Sequence, residues 1–282
     1  MTLTLLYRGD LSSCNYACHY CPFAKRQDTR EQLAKDKADL QRFVTWVGQQ
    51  QCNIAILFTP WGEALIRGYY REAIIQLSHM PQVKKVAIQT NFSCSTTWLK
   101  HCDLEKTAFW ITYHPNEIEL ERFIATCQQL DRYQVRYSVG VVGLKTHFVH
   151  IQQLRKALAK HIYLWVNAYK REAHYYSSAD IQQLLAIDPH FENNNSYHQS
   201  LHSVCATGES VISVNGAGDI TRCHFIKQKL GNIYQQPFTD YLKPRTCSNA
   251  NCGCHIGYIH LEKLQLYPLY GEGLLERIPN SF

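Results

Sequence analysis

The sequence predicts an α/β fold with a parallel sheet, followed by a smaller cysteine-rich region. Before residue 190, strand and helix patterns alternate about six times, and the unusual motifs directly follow predicted strands. After residue 190 this alternation ends. Alternation of this kind produces parallel strands joined by right-handed crossovers. Because six units are fewer than the eight that close a full barrel, we expect a partial (βα)6 TIM-like barrel.

The predicted strands are short apolar runs, and amphipathic segments lie between them. The strand segments are 3–7, 54–58, 85–89, 108–112, 134–142 and 162–167. A helix is indicated by apolar residues at i, i+3, i+4 and i+7, which are Leu40, Phe43, Val44 and Val47. Segments 117–130 and 146–160 have the same periodicity, and Thr146 is the expected N-cap of the second.

The chain after residue 190 has a different pattern. A polar segment, 192–196, predicts a linker between a first domain of residues 1–190 and a second of residues 191–282. Segments 210–214 and 219–221 flank a glycine-containing turn and predict a β-hairpin in the second domain. A cysteine-rich stretch follows this hairpin.

The composition narrows the class of protein. Twelve cysteines in a chain whose first residues do not resemble a signal peptide predict reduced thiols and a cytoplasmic location. No apolar run is long enough for a membrane span. A net charge of +6 with scattered basic residues does not indicate nucleic-acid binding, although it is compatible with an anionic substrate.

Three cysteines directly follow the first predicted strand. Cys14, Cys18 and Cys21 have the spacing C-x3-C-x2-C. Three thiolates in one loop can hold three irons of a [4Fe–4S] cluster and leave the fourth iron open to a substrate or cofactor. Structural zinc is the alternative, but it needs four ligands and no fourth partner is near in the sequence.

The stretch from Ser13 to Pro22, with aromatic Tyr20 before the third cysteine, resembles the signature loop of the radical S-adenosylmethionine (radical SAM) superfamily. This resemblance implies that SAM chelates the open iron. It also implies reductive cleavage of SAM to a 5′-deoxyadenosyl radical, with flavodoxin or ferredoxin as the electron donor.

The resemblance further implies which residues contact SAM. Gly62-Glu63 is similar to the glycine-rich acidic motif that binds the SAM amino group, although Trp61 stands where many members have a first glycine. Thr112 matches a position that contacts the ribose or carboxylate. The full set of expected cofactor contacts is Tyr20, Gly62, Glu63, Asn91, Thr112, Ser138 and Val166.

A second set of cysteines lies in the predicted C-terminal domain. Cys205, Gly218 and Cys223 fit the pattern C-x12-G-x4-C, which resembles the start of the SPASM or twitch auxiliary-cluster domain of radical SAM enzymes. With Cys247, Cys252 and Cys254 they suffice for one further [4Fe–4S] cluster with one thiol left over. Zinc bound by four of these cysteines, or with His224 and His255, is the alternative.

The chain is therefore expected to be a radical SAM enzyme that abstracts hydrogen from a peptide or protein. Segments 7–9, 21–25 and 58–63 look like those of small bacterial radical SAM proteins of unknown substrate. One alternative is a radical SAM enzyme acting on a small molecule such as a sugar, nucleotide or cofactor precursor. A non-catalytic iron–sulfur or zinc protein is the other. Neither nucleic acid nor a membrane is an expected partner.

Overall fold

The computed structural model describes residues 2–23, 27–235 and 237–282. Ala24 and Lys25, part of one motif discussed above, lie outside the described residues. None of the described helices is long and apolar enough to cross a membrane.

The secondary structure is a mixture of strands and helices. The strands are β1 Thr2–Arg8, β2 Asn53–Phe58, β3 Val83–Thr90, β4 Thr107–Tyr113, β5 Arg136–Val142, β6 Leu164–Asn167, β7 His198–Gln199, β8 Val204–Cys205, β9 Val211–Asn215, β10 Asp219–Thr221, β11 Lys229–Asn232, β12 Arg245–Thr246 and β13 Asn251–Cys252. The α-helices are α1 Arg30–Gly48, α2 Gly68–Ser78, α3 Leu120–Arg132, α4 Phe148–Ala157, α5 Ser178–Leu185, α6 Phe191–Asn195, α7 His255–Tyr258 and α8 Leu266–Tyr270. Short 3-10 turns are Thr97–His101, Lys145–His147, Phe238–Tyr241, Glu262–Leu264 and Gly271–Gly273.

The first six strands form one parallel sheet in chain order, β1 to β6. Each lies on its predicted segment, with ends shifted by at most two residues. The apolar runs locate these strands well because a parallel sheet is buried on both faces. The fold is therefore mixed α/β with a large parallel sheet, which is consistent with the predicted partial barrel.

The predicted hairpin is present, but it belongs to the same sheet. Strands β9 and β10 pair antiparallel, and β9 also pairs in parallel with β1, with Val214 opposite Tyr7. Strand β1 would otherwise be an edge with unpaired backbone groups. The sequence pattern predicts the hairpin but does not reveal this long-range pairing. The C-terminal part of the chain is therefore joined to the first strand of the sheet by strand pairing.

Two local predictions are wrong. The expected linker, 192–196, lies largely in helix α6, where Phe191 and Asn194 are buried. The Asn194 side chain accepts a hydrogen bond from the backbone N–H of Ala168, just after β6, so its polar group is used inside the fold. Thr146 does not cap α4, because it lies in a 3-10 turn and the helix begins at Phe148 without a side-chain cap.

The C-terminal segment packs against the inner face of the sheet. Ile256 and Leu275 join a cluster with residues of β1 to β4, β6 and β9, while α1 to α4 cover the other face. Glu276 is fully buried, and its Oε1 is 2.6 Å from Lys85 Nζ and 3.0 Å from Arg136 Nε. Both cations are near the amino ends of their strands. The segment thereby covers the amino-terminal end of the sheet interior.

We expect Glu276→Gln to lower the free energy of unfolding by about 3 kcal/mol, because removing one partner of a buried ion pair leaves the others uncompensated. Urea unfolding followed by circular dichroism measures the change. Glu105→Gln, an exposed carboxylate, is the matched control and should leave the midpoint unchanged. Equal midpoints for the two variants would contradict this role of Glu276.

Candidate active site at the carboxyl edge of the sheet

The loops that follow β1 to β4 meet at the carboxyl edge of the sheet around a cavity of about 540 Å³. In parallel α/β folds this is the edge where ligands bind. The lining residues are Cys14, Tyr16, Ala17, Cys18, Cys21, Phe23, Gln27, Pro60, Trp61, Gly62, Glu63, Gln89, Thr90, Asn91, Thr112 and His114.

The start of the three-cysteine loop is held by Asp28. Asp28 accepts hydrogen bonds from the backbone and hydroxyl groups of Ser12 and Ser13. Partial burial opposes ionisation of Asp28, but these hydrogen bonds outweigh it and lower the pKa. Asp28 therefore acts as a charged anchor that fixes the backbone immediately before Cys14.

Backbone N–H groups point at two of the three thiols. Tyr16 N donates to Cys14 Sγ and Phe23 N donates to Cys21 Sγ, each at 3.4 Å. Such N–H donors stabilise thiolates that ligate an iron–sulfur cluster and tune its potential. Three thiols in one loop, with N–H donors and a cavity in front of them, fit a cluster with one open iron.

Gly62 is required by the close approach of the cysteine loop. A Cβ atom at this position would lie 1.9 Å from the carbonyl oxygen of Ser13. The same carbonyl accepts a hydrogen bond from Glu63 N at 3.1 Å. The two loops therefore touch through their backbones, as glycine alone permits.

Glu63 is buried beside the cavity and held by three donors. Its Oε1 accepts from the Thr90 hydroxyl at 2.6 Å and from Leu65 N at 2.9 Å, and its Oε2 accepts from Asn91 N at 2.6 Å. Burial raises the pKa of Glu63, and these hydrogen bonds act against that rise. The carboxylate is thus fixed in orientation at the cavity wall.

His114 packs behind the second cysteine. Its Nδ1 is 2.8 Å from the hydroxyl of Tyr20 and 3.3 Å from Cys18 Sγ. Burial, followed by the nearby His147, lowers the pKa of His114 to about 4, so the ring is neutral at pH 7. A neutral imidazole at this place adds a hydrogen-bonding partner without adding charge.

The structure brings most of the predicted site residues together. Gly62, Glu63, Asn91 and Thr112 line the cavity with all three cysteines of the loop. Tyr20 does not line it but packs behind the loop against His114.

Ser138 and Val166 are not brought to the cavity. The Ser138 hydroxyl donates to the carbonyl of Glu276 and accepts from Trp165 Nε1, so it holds the C-terminal segment instead. Val166 is fully buried in the core, and its N–H donates to Asp188. Ser138 lies in the middle of β5 and Val166 packs into the helix-covered core, and the sequence alone does not separate such residues from those that line a cavity.

Sequence reasoning also missed contributors. Thr90, His114 and Tyr16 are not among the cofactor contacts expected from the sequence. Their positions at the end of β3, directly after β4 and inside the cysteine loop are the available signals. Hydrogen bonding to Glu63 and Cys18 is what makes Thr90 and His114 part of the site.

The C-terminal cysteines gather beyond the sheet edge. Cys205 lies in β8, which pairs with β12 just before Cys247, and Cys223 packs with Cys247. Cys252 lies in β13 and packs against the cluster that contains Cys205. Burial, together with the other four thiols of this region, raises the pKa of the Cys252 thiol to about 12. All five are therefore neighbours.

Among the described residues, no three His, Cys, Asp or Glu side chains form a group that could hold a single metal ion. The thiols of a four-iron cluster bind different irons, so this finding concerns single-ion sites. Both candidate zinc histidines have other partners: His224 Nε2 is 2.7 Å from the Thr59 hydroxyl and His255 Nδ1 is 3.2 Å from the Tyr258 hydroxyl.

Solved structures with a similar fold include native anSMEcpe with bound AdoMet (SAM). The match has a TM-score of 0.58 at 16% identity and covers 85% of this chain and 80% of that chain. Native anSMEcpe with bound AdoMet and Kp18Cys peptide gives a TM-score of 0.59 at 16% identity, covering 87% and 81%. BtrN in complex with AdoMet and 2-DOIA matches at a TM-score of 0.41 and 17% identity over 84% and 80%, too low to carry an argument. No family model and no curated protein matches the chain.

At these identities the similarity establishes the fold. The anSME structures are those of an anaerobic sulfatase-maturating radical SAM enzyme. In this chain the cysteine loop follows the first strand and faces a cavity at the carboxyl edge of the sheet. The chain therefore has the same fold as these radical SAM enzyme structures, and this fold agrees with the partial barrel expected from its sequence.

Proposed function

We propose that this protein is a radical SAM enzyme that binds a [4Fe–4S] cluster through Cys14, Cys18 and Cys21 and binds SAM in the adjoining cavity. The observation that carries the proposal is the three-thiol loop facing a cavity of about 540 Å³, a volume suited to a small cofactor. When bound, the cluster and SAM together supply one-electron reductive cleavage of SAM for hydrogen abstraction. Electrons would come from flavodoxin or ferredoxin in the cytoplasm.

The residues of the chain have separate tasks in this proposal. The N–H groups of Tyr16 and Phe23 stabilise the thiolates that they contact. Gly62 lets the backbone of its loop approach the cysteine loop, so that backbone carbonyl groups of this loop can receive the SAM ammonium. Glu63 adds a carboxylate whose position is fixed by three donors. Asn91 and Thr112 offer polar groups to the amino-acid and ribose parts of SAM.

A second [4Fe–4S] cluster is part of the proposal, with Cys205, Cys223, Cys247 and Cys252 as its ligands. The packing of Cys223 with Cys247, and of Cys252 with the cluster around Cys205, supports this set. Cys254 belongs to neither of these packing clusters, and its thiol lies within electrostatic reach of the cations Lys170, Arg8 and Arg277. We therefore assign Cys254 as the thiol left over.

A peptide or protein is the proposed substrate. Support comes from fold similarity to anSMEcpe with bound AdoMet and Kp18Cys peptide, at a TM-score of 0.59. The Cp18Cys complex is similar at a TM-score of 0.56. These peptides are bound by another protein, so the proposal takes from them only the class of substrate.

Anaerobically reconstituted protein should bind about eight irons and release 5′-deoxyadenosine from SAM with dithionite. The Cys14→Ala, Cys18→Ala, Cys21→Ala triple variant should keep about four irons but produce no 5′-deoxyadenosine. It should still fold, because a loop at the edge of the sheet contributes little to core packing. Cys52→Ala, which removes an exposed thiol, is the control and should match the wild type. Production of 5′-deoxyadenosine by the triple variant at the wild-type rate would refute the proposal.

Deuterium transfer tests the class of substrate. Host cells are grown on deuterated medium, and their extract is separated into protein, peptide and small-molecule fractions. Each fraction is added to the reconstituted enzyme with SAM and dithionite. We expect deuterated 5′-deoxyadenosine, measured by mass spectrometry, from the protein or peptide fraction, because abstraction moves substrate hydrogen to this product. Transfer only from the small-molecule fraction would contradict a peptide substrate and favour the other enzyme class. The triple cysteine variant is the blank.

A pair of single variants tests the ligands of the second cluster. Cys252→Ala should lower the iron content from about eight to about four per chain, because a cluster that loses one of its four thiolate ligands is not retained. Cys254→Ala, two residues away, should keep about eight irons. Iron and sulfide analysis after reconstitution measures both. The reverse result would exchange the roles of the two cysteines.

A further inference from the structure

Arg8, the last residue of β1, has a side chain that is fixed at its base and free at its tip. Its Nε donates to the carbonyl of Thr59 at 2.7 Å, and its guanidinium lies 4.0 Å above the ring of Trp61. The terminal nitrogens, Nη1 and Nη2, have no hydrogen-bond partner among the described residues, and they are not sealed from solvent. A planar pair of donors is thus held ready in one orientation.

No carboxylate neutralises this cation. In the part of the chain that the structure describes, Arg8 forms no ion pair with Asp or Glu. Burial lowers the pKa of Arg8 to about 10, which leaves it charged at pH 7. The nearby Cys254 thiol acts to raise this pKa. A partly desolvated charge without a carboxylate partner costs free energy, so an anionic ligand would supply a missing partner.

Two other cations lie in the same region, but they are differently engaged. The ammonium group of Lys170 donates to the carbonyls of Asn194, Ser196 and Gly253. Arg277 is enclosed, with its guanidinium 4.4 Å from the ring centre of Trp165, and its unpaired Nε and Nη1 are buried away from solvent. Both cations and Arg8 lie near the Cys254 thiol, and of these three Arg8 has the unpaired donors that are open to solvent.

The place of Arg8 connects the two cysteine regions. Trp61, beneath its guanidinium, lines the cavity beside the three-cysteine loop. Thr59, which accepts its Nε proton, is hydrogen-bonded through its hydroxyl to His224, the residue after Cys223. A group bound to the free end of Arg8 would therefore lie between the SAM cavity and the C-terminal cysteines.

We propose that Arg8 binds an oxyanion of the substrate, a carboxylate or a phosphate, through Nη1 and Nη2. The inference rests on the proposed function and names a chemical feature of its substrate. A guanidinium fork matches the paired oxygens of both anions, and the Trp61 ring keeps the fork in one plane. The substrate is then fixed by its charge beside the cavity where hydrogen abstraction takes place.

Arginine modification tests this without turnover. Reconstituted protein is treated with phenylglyoxal, and modification of Arg8 and of exposed Arg132 is followed by peptide mass spectrometry. Saturating inorganic phosphate or acetate should slow modification of Arg8 at least about tenfold and leave Arg132 unchanged, as expected for a charge-assisted paired contact. Protection by acetate alone identifies a carboxylate, and protection by phosphate alone identifies a phosphate.

Calorimetry with matched variants completes the test. Wild-type protein and Arg132→Met should bind the protecting anion equally, while Arg8→Met should bind it at least about tenfold more weakly. Equal protection of both arginines, protection of neither, or unchanged affinity in Arg8→Met would overturn the proposal. If SAM alone protected Arg8 as strongly as phosphate or acetate does, this would also overturn the proposal, because the guanidinium would then bind the cofactor. Absence of SAM cleavage would refute the proposed function and leave the anion result standing.

Discussion

The site depends on one backbone contact between two loops. The carbonyl of Ser13 lies against Gly62 and accepts the N–H of Glu63 at 3.1 Å. This contact places the cysteine loop over the end of β2, and with it the thiols over the cavity. Asp28 holds the same loop from the other side through Ser12 and Ser13. Because backbone atoms meet directly, the fit depends on the absence of a side chain and not on which side chain is present.

The two ends of the sheet interior are treated differently. At the amino end, Glu276 forms buried ion pairs with Lys85 and Arg136, and the C-terminal segment fills the space. At the carboxyl end, polar loop residues surround a cavity. Parallel strands bring all their carboxyl ends to one edge, so short motifs far apart in sequence become neighbours. The C-terminal segment fills the amino end of the sheet interior, and the candidate site lies at the carboxyl end.

Pairing of β9 with β1 joins the C-terminal half to the site. It brings the turn at Cys223 and His224 towards Thr59, which also binds Arg8. The second set of cysteines is therefore joined to the same sheet that carries the first set. The side chain of Arg8, whose terminal nitrogens have no hydrogen-bond partner among the described residues, lies between the two sets. In our proposal this arrangement fixes the position of a substrate relative to both.

The sequence by itself determined the six parallel strands, the three-cysteine loop and most of the cavity wall, because apolar runs and residue spacing along one strand or loop are local properties. Tertiary structure decided the rest. Ser138 and Val166 lie on the predicted strands but face packing partners far along the chain, Glu276 and Asp188. Whether the terminal nitrogens of Arg8 find hydrogen-bond partners depends on which strands and loops surround β1, because such partners are neighbours in space. Such contacts leave no periodic signal in the sequence, because each one joins residues whose separation along the chain is arbitrary.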